Sequence, residues 1–202
     1  MRIVVFGASG RTGRHVVSLA IRRDHEVVAF VRDASKQWFP DAAVVRQGDP
    51  SDAEAIGVAL TGAEAVISAL GPVARVTTTE ISGDLRTIVD VMQRLGPHRL
   101  AIASNTWVFT DEEVTGEFAN VAAEHRRDLA ILRASALAWT AIAVPLLKDA
   151  PGSDAFDAVI DGPPPGDSIS RADFAAALLD ALDHDDWIGH AVGVANPPQA
   201  EA

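Results

Sequence analysis

The feature that most constrains this chain is the heptapeptide Gly7-Ala8-Ser9-Gly10-Arg11-Thr12-Gly13. It follows the apolar run Ile3-Val4-Val5-Phe6 and opens residues 11–22, where Val16, Val17, Leu19, Ala20 and Ile21 are spaced as on a helix. A second apolar run covers 26–31. A G-x-x-G-x-x-G spacing alone is a weak signal, and a plain glycine-rich turn is its bland reading. Placed between a strand and a helix, with a second strand behind, it reads as a variant dinucleotide fingerprint. The three glycines serve different ends. Gly7 permits a sharp exit from the strand, Gly10 close approach of a diphosphate, and Gly13 tight helix–sheet packing. The helix start adds free amide hydrogens and partial positive charge, and Ser9, Arg11 and Thr12 add side-chain donors.

The alternation continues downstream. Short apolar runs at 43–46, 65–69, 99–103 and 139–144 predict further strands, and residues 52–60, 77–95 and 120–134 predict helices. Ser51 or Asp49 is the expected cap of the 52–60 helix, and Gly96-Pro97 the stop of the long one. Strands without polar interruption imply a sheet covered on both faces. The expected fold class is therefore α/β: a Rossmann-like doubly wound parallel sheet, one NAD(P)-binding domain over 1–202. After Pro145 the pattern weakens into proline and glycine turns. A last helix at 171–182, capped by Ser170, and a last strand at 191–195 follow, with a frayed tail from Asn196. Residues 146–195 are expected to form a small substrate-side region. In such a sheet a ligand sits beyond the carboxyl ends of the strands, where strand order reverses.

Composition narrows the chemistry. The 202 residues include 28 acidic and 17 basic ones, a formal net charge of −11. That balance argues against binding nucleic acid or an anionic membrane. No run approaches the ~20 apolar residues of a spanning helix, so a cytoplasmic protein is expected. Cysteine is absent, which excludes disulfides, thiolate metal sites and cysteine nucleophiles. Tyrosine is absent too, so no phenol can donate a proton. The six histidines show no metal-ligand spacing, and no metal is expected. His125, set among Glu124, Arg126 and Arg127, reads as a solvated or capping residue, and Asp183, Asp185 and Asp186 as a solvated turn.

The end of the second strand bears on coenzyme choice. An NAD site usually has an acidic residue there. This run ends Ala29-Phe30-Val31-Arg32-Asp33, so the first polar group is a guanidinium suited to a ribose 2′-phosphate. Lys36 adds a second positive charge. NADP (as NADPH) is therefore expected over NAD; the competing reading pairs Arg32 with Asp33 or Asp49. Asp49, after Gly48, is either an adenine-side carboxylate or a turn residue. Ala69, Leu70 and Gly71 follow the fourth strand and permit close backbone approach of the nicotinamide ribose.

These residues resemble the atypical short-chain dehydrogenase/reductases. Within them the group of biliverdin-IXβ reductase/flavin reductase and related NAD(P)-binding proteins, in the NmrA-like neighbourhood, is most similar. The similarity rests on the glycine turn, Val31-Arg32-Asp33, Gly48-Asp49 and Ala69-Leu70-Gly71. It extends through Glu124-His125-Arg126-Arg127, Leu132-Arg133-Ala134-Ser135 and the stretch 139–145. Asp161-Gly162, the stretch 169–174 and Gly189-His190 complete it. The resemblance implies NADPH-dependent hydride transfer to flavins or, in some members, tetrapyrroles. It also implies a monomer. Classical superfamily members use a Tyr-x-x-x-Lys pair, which a chain without tyrosine lacks; the flavin-reductase-like group lacks the tyrosine as well. A hydroxyl at the end of the fifth strand lies by the nicotinamide in that group, and Thr106 matches it by position, with Ser104 two residues earlier. The bland reading has both merely capping the strand end; the site role is the expectation. Pro145 closes the sixth strand on the coenzyme side. Leu146 stands where related reductases carry a histidine. Leu146 and Leu147 are expected to wall a flat ring on which Trp107 and Phe109 can stack.

The expected activity is hydride transfer from NADPH to a flavin or another planar conjugated acceptor such as a quinone or tetrapyrrole. Such an acceptor takes its balancing proton from solvent, so no protein acid is demanded. The alternative is a non-catalytic NADP-binding redox sensor; an isomerase or epimerase of the extended branch is disfavoured by the missing tyrosine and by the longer C-terminal substrate region its relatives use.

Overall fold

The computed structural model describes residues 1–35, 39–72 and 77–198. The strands are β1 (Arg2–Phe6), β2 (Glu26–Val31), β3 (Ala43–Gln47), β4 (Ala65–Ser68), β5 (Arg99–Asn105), β6 (Ala138–Val144), β7 (Leu146–Lys148), β8 (Asp157–Ile160), β9 (Ser168–Ser170) and β10 (His190–Ala195). The helices are α1 (Arg11–Arg22), α2 (Ala53–Ala59), α3 (Glu80–Leu95), α4 (Ala119–Arg133) and α5 (Arg171–Asp180). Among the described residues eight strands form one sheet in the order β3-β2-β1-β4-β5-β6-β10-β8. All neighbours are parallel except β10 and β8. Strand order reverses between β1 and β4, so the doubly wound α/β fold stands.

Continuous apolar strands work because both faces are covered. Ile3 and Val5 of β1 join Val27 and Ala29 of β2 in one core, together with α1 and α5. Val4, Phe6, Val28 and Phe30 point the other way, into a core shared with α2, α3 and α4. Full burial of each such Val or Phe contributes about 1.5–3 kcal/mol. Helix α1 buries Thr12, Gly13, Val16, Val17 and Ala20, one stripe at helical spacing, and exposes Arg14 and His15.

Several boundaries differ from the sequence expectation. The cap of α2 is Asp52, whose carboxylate accepts from the amides of Glu54 and Ala55, and neither Ser51 nor Asp49 fills that place. Helix α3 begins at Glu80, three residues later than expected, and β4 ends at Ser68. Ser170 does cap α5, accepting from the Asp173 amide. Beyond Pro145 three short strands appear where only turns were expected: β7 pairs with β9, and β8 adds an antiparallel edge to β10. Asn196 does not fray. Its side chain donates to Ser153, Ala155 and Asp173 and accepts from the Ser170 amide. No helix of the described residues is long and apolar enough to cross a membrane.

Candidate functional site

The carboxyl ends of β1 and β4 meet at the point of strand reversal, where a doubly wound sheet takes its ligand. Gly7 leaves β1 at φ +71, and a Cβ there would lie 2.8 Å from the Ala69 carbonyl. A Cβ on Gly13 would lie 2.1 Å from the Gly7 carbonyl oxygen, so the first turn of α1 can rest on the loop only as glycine. Gly10 donates to the Gly7 carbonyl at 2.9 Å and stands at the helix N-cap with no side chain closing the free amides. The first turn of α1 holds no acidic residue. No acidic residue of the helix itself therefore repels an anion there. Ser9 is half-buried and its carbonyl accepts from Arg14 Nε at 3.0 Å.

Two guanidiniums meet at this turn. Arg11 Nη1 lies 2.9 Å from Asp149 Oδ2, and Arg171 Nε lies 2.6 Å from Asp149 Oδ1. Arg171 Nη1 also reaches Thr12 Oγ1 at 3.5 Å. Asp149 and Arg171 are not foreseeable as site residues, because a pair 22 positions apart in the chain leaves no periodic trace.

At the adenosine end, Arg32 follows β2 directly, is exposed, and pairs with Glu80 at 3.3 Å. The expected alternatives, Asp33 and Asp49, are engaged otherwise. Asp33 accepts from Ser35, and Asp49 from the amide and hydroxyl of Ser51 at 2.9 and 2.6 Å. Those Ser51 hydrogen bonds hold the Asp49 carboxyl below its usual range. Asp49 thus holds its own turn through Ser51, and its charge also feels Arg32. Asp84, buried in the first turns of α3, is pushed up to about 6, chiefly by burial, with Asp49 and Glu80 adding repulsion. Lys36 lies outside the described residues.

On the nicotinamide side, Ala69 and Leu70 are half-buried and Gly71 is exposed with open space around its Cα. Ser104 is buried on β5 opposite Ala143 of β6, and Asn105 pairs with Val144, so Thr106 and Pro145 follow level with each other. Thr106 opens a 3-10 turn, Thr106–Phe109, capped by Asn105, whose Oδ1 accepts from the Trp107 amide. Arg126 of α4 clamps this turn through the carbonyls of Trp107, Thr110 and Glu112. Trp107 packs against Phe118 with ring centroids 5.4 Å apart, and Phe109 is partly buried against the core. Leu147 is partly buried against the core, and Leu146 is 63% exposed. His125 is buried against Asp128 at 3.6 Å and is not solvated. The α4 turn rotates it inward although its chain neighbours are charged. Among the described residues no group of three potential ligands could hold a metal ion.

A strand-reversal crevice with an open, glycine-built helix start defines a Rossmann-type nucleotide-binding protein. The chain matches a family model described as NAD(P)H-binding over residues 7–185, and it belongs to that family. It is 26% identical to the YwnB protein of Bacillus subtilis, the alignment covering 91% of this chain and 93% of that one. The solved structure of ChuY, an anaerobillin reductase from Escherichia coli O157:H7, superposes with TM-score 0.82 at 21% identity, covering all of both chains. SP1627 of Streptococcus pneumoniae TIGR4, described as a candidate NADH-flavin reductase, superposes with TM-score 0.80 at 22% identity over 98% of this chain and all of its own. At those identities the likeness establishes the fold alone.

Proposed function

We propose that the protein is an NADPH-dependent reductase that passes a hydride to a flavin or a similar planar conjugated acceptor, such as a quinone or tetrapyrrole. The observation that carries this reading is the conjunction at the sheet's carboxyl edge. An uncapped, acid-free helix start lies where Gly10 leaves room, and an exposed guanidinium, Arg32, stands just past β2. These residues fit the coenzyme. The amides of Arg11, Thr12 and Gly13 would hold its diphosphate, with Gly10 giving it room and Ser9 beside them. Arg32 would take the 2′-phosphate, aided by Lys36, with Asp49 near the adenine. Ala69, Leu70, Gly71 and Pro145 would line its nicotinamide half.

Bound NADPH supplies the hydride. The chain's own residues position and shield. Ser104 and Thr106 offer hydroxyls at the end of β5 to the nicotinamide amide or to an acceptor atom. Trp107, Leu146 and Leu147 would border the space beyond. No tyrosine or cysteine is present to donate a proton, which suits acceptors protonated by solvent. Water exclusion and ring-to-ring placement are then the protein's main contributions. The cytoplasm, where NADPH and free flavins are both available, is the proposed location, and a monomer the proposed state.

The test is steady-state NADPH consumption by purified protein with FMN, riboflavin or a soluble quinone. Saturable turnover with at least one of them, faster with NADPH than with NADH, is expected. Tight NADP binding without turnover on any acceptor would overturn the reductase reading in favour of a sensor.

A further inference from the structure

The stretch Ile169-Ser170-Arg171-Ala172-Asp173-Phe174 has no part in the function just proposed. Its two charged residues are nearly buried, Arg171 at 9% and Asp173 at 2% exposure. Asp173 organises a loop. Its carboxylate accepts from the Ser153 and Asp154 amides at 3.0 Å, from the Ser153 and Ser170 hydroxyls, and from Asn196. Although burial opposes the charged form, these hydrogen bonds hold the carboxyl below its usual range. The segment it fixes begins four residues after Asp149, so the path of the chain brings the Asp149 carboxylate over the phosphate turn.

Arg171 is the counterpart. It occupies the first position of α5, the positive end of a helix, where a cation is disfavoured. Its pair with Asp149, whose side chain is 61% exposed, offers little stability in return. Packing alone does not account for a charge there, but an anion beside it does. The guanidinium contacts Thr12, the second residue of α1, where the amides are free. It carries more N–H donors than its contacts to Asp149 and Thr12 use. Asp149 places one oxygen on Arg11 and the other on Arg171, as a phosphate oxyanion bridging two guanidiniums would. The Arg171 hydrogen bond, with Arg11 adding to it, holds that carboxyl below its usual range.

We propose that Arg171 is a coenzyme-binding residue: together with Arg11 it grips the diphosphate common to NADP and NAD, and Asp149 is the internal carboxylate that this diphosphate displaces. The inference rests on the nucleotide-binding reading above and adds to it a residue from the substrate-side region. Arg171 thereby ties α5 to coenzyme occupancy, whereas Arg32 acts on the 2′-phosphate alone.

Calorimetric titration of the full chain with NADP, NAD and inorganic pyrophosphate tests it. Arg171→Gln is expected to weaken all three by about tenfold, the scale of one charge-assisted hydrogen bond. Asp149→Asn is expected to strengthen all three by about two- to fivefold, because it removes a competing anion from an exposed pair. A structural ion pair would give no such gain. Arg32→Ala is expected to weaken NADP only. A folded Arg171→Gln with unchanged affinity for NAD and pyrophosphate overturns the proposal, and so does an Asp149→Asn that binds pyrophosphate no better than wild type. Should Arg171→Gln fail to fold, Asp149→Asn decides alone. A selective loss of NADP in Arg32→Ala beside a neutral Arg171→Gln sinks only this inference. Wild-type protein that binds neither coenzyme sinks the coenzyme reading itself.

Discussion

Arg32 Nη1, just past β2, lies 3.3 Å from Glu80 Oε1 at the start of α3. The two side chains are 72% and 57% exposed, so water screens the pair and its own stability is small. Its weight lies in competition, since a 2′-phosphate and Glu80 seek the same guanidinium. Arg32→Ala is expected to raise the NADPH Michaelis constant by about tenfold with little change for NADH. Glu80→Gln is expected to lower the NADPH constant by about two- to threefold, again sparing NADH. Parallel steady-state titrations with both coenzymes measure this. Equal effects on both would show that Arg32 does not read the 2′-phosphate.

Asp84 is 8% exposed, and burial, with Asp49 and Glu80 nearby, pushes its carboxyl up to about 6 from an ordinary 3.8. The fold thus binds the proton more tightly than the unfolded chain does. Below the unfolded value both states are protonated and Asp84 costs nothing. As pH rises through about 6 the folded protein must carry a buried charge, and it loses stability. Asp84→Asn is therefore expected to stabilise by about 1–2 kcal/mol near pH 8 and by almost nothing at about pH 3, below the unfolded value. Urea melts at the two pH values would show it. A gain of equal size at both would mean that charge is not the cause.

The doubly covered sheet is legible in the sequence because physics repeats itself along the strands. Ile3 to Phe6 can be wholly apolar only if both faces are buried, and the two cores receive alternate residues. The glycine turn is legible for the same kind of reason, since Gly7 and Gly13 stand where a Cβ would strike backbone. What escapes lacks a local rule. Asp49, Ser51 and Asp52 are all competent caps, and only the backbone path selects Asp52. Strands β7 and β9 have three residues each, too few for a period. His125 stands among charges in sequence, yet successive residues on a helix are about 100° apart, which turns it inward beside Asp128. The Arg11–Asp149–Arg171 bridge joins three distant segments and has no sequence signature.

Glu124 is fully buried and ties α4 to the start of α3. It accepts from the Ser82 amide at 2.8 Å, from the Ser82 hydroxyl at 3.0 Å, and from Arg127. Burial opposes its charge, but those donors prevail and hold the carboxyl below its usual range. Its stabilisation is therefore complete above the unfolded value of 4.5 and fades as pH falls through the lower folded value. Glu124→Gln leaves Arg127 and Ser82 without their carboxylate and is expected to cost about 2–4 kcal/mol at neutral pH. Thermal melts of the variant would show a large drop at neutral pH that shrinks in acid. Because α3 also carries Glu80, the NADPH constant is expected to shift as well.

Ser104 and Thr106 bear on whether the protein supplies a proton. Neither hydroxyl is acidic enough to act as a general acid without a partner, and Asn105 between them is committed to capping the next turn. If the acceptor takes its proton from solvent, these side chains only orient rings. Ser104→Ala and Thr106→Ala are then each expected to lower kcat by less than about tenfold, within the range of one neutral hydrogen bond. The kcat of both variants is expected to keep the wild-type dependence on pH. A loss of about 100-fold or more in either, the lower range of general acid catalysis, would show that the hydroxyl lies on the proton path and that the acceptor is a carbonyl-like group in need of a protein donor.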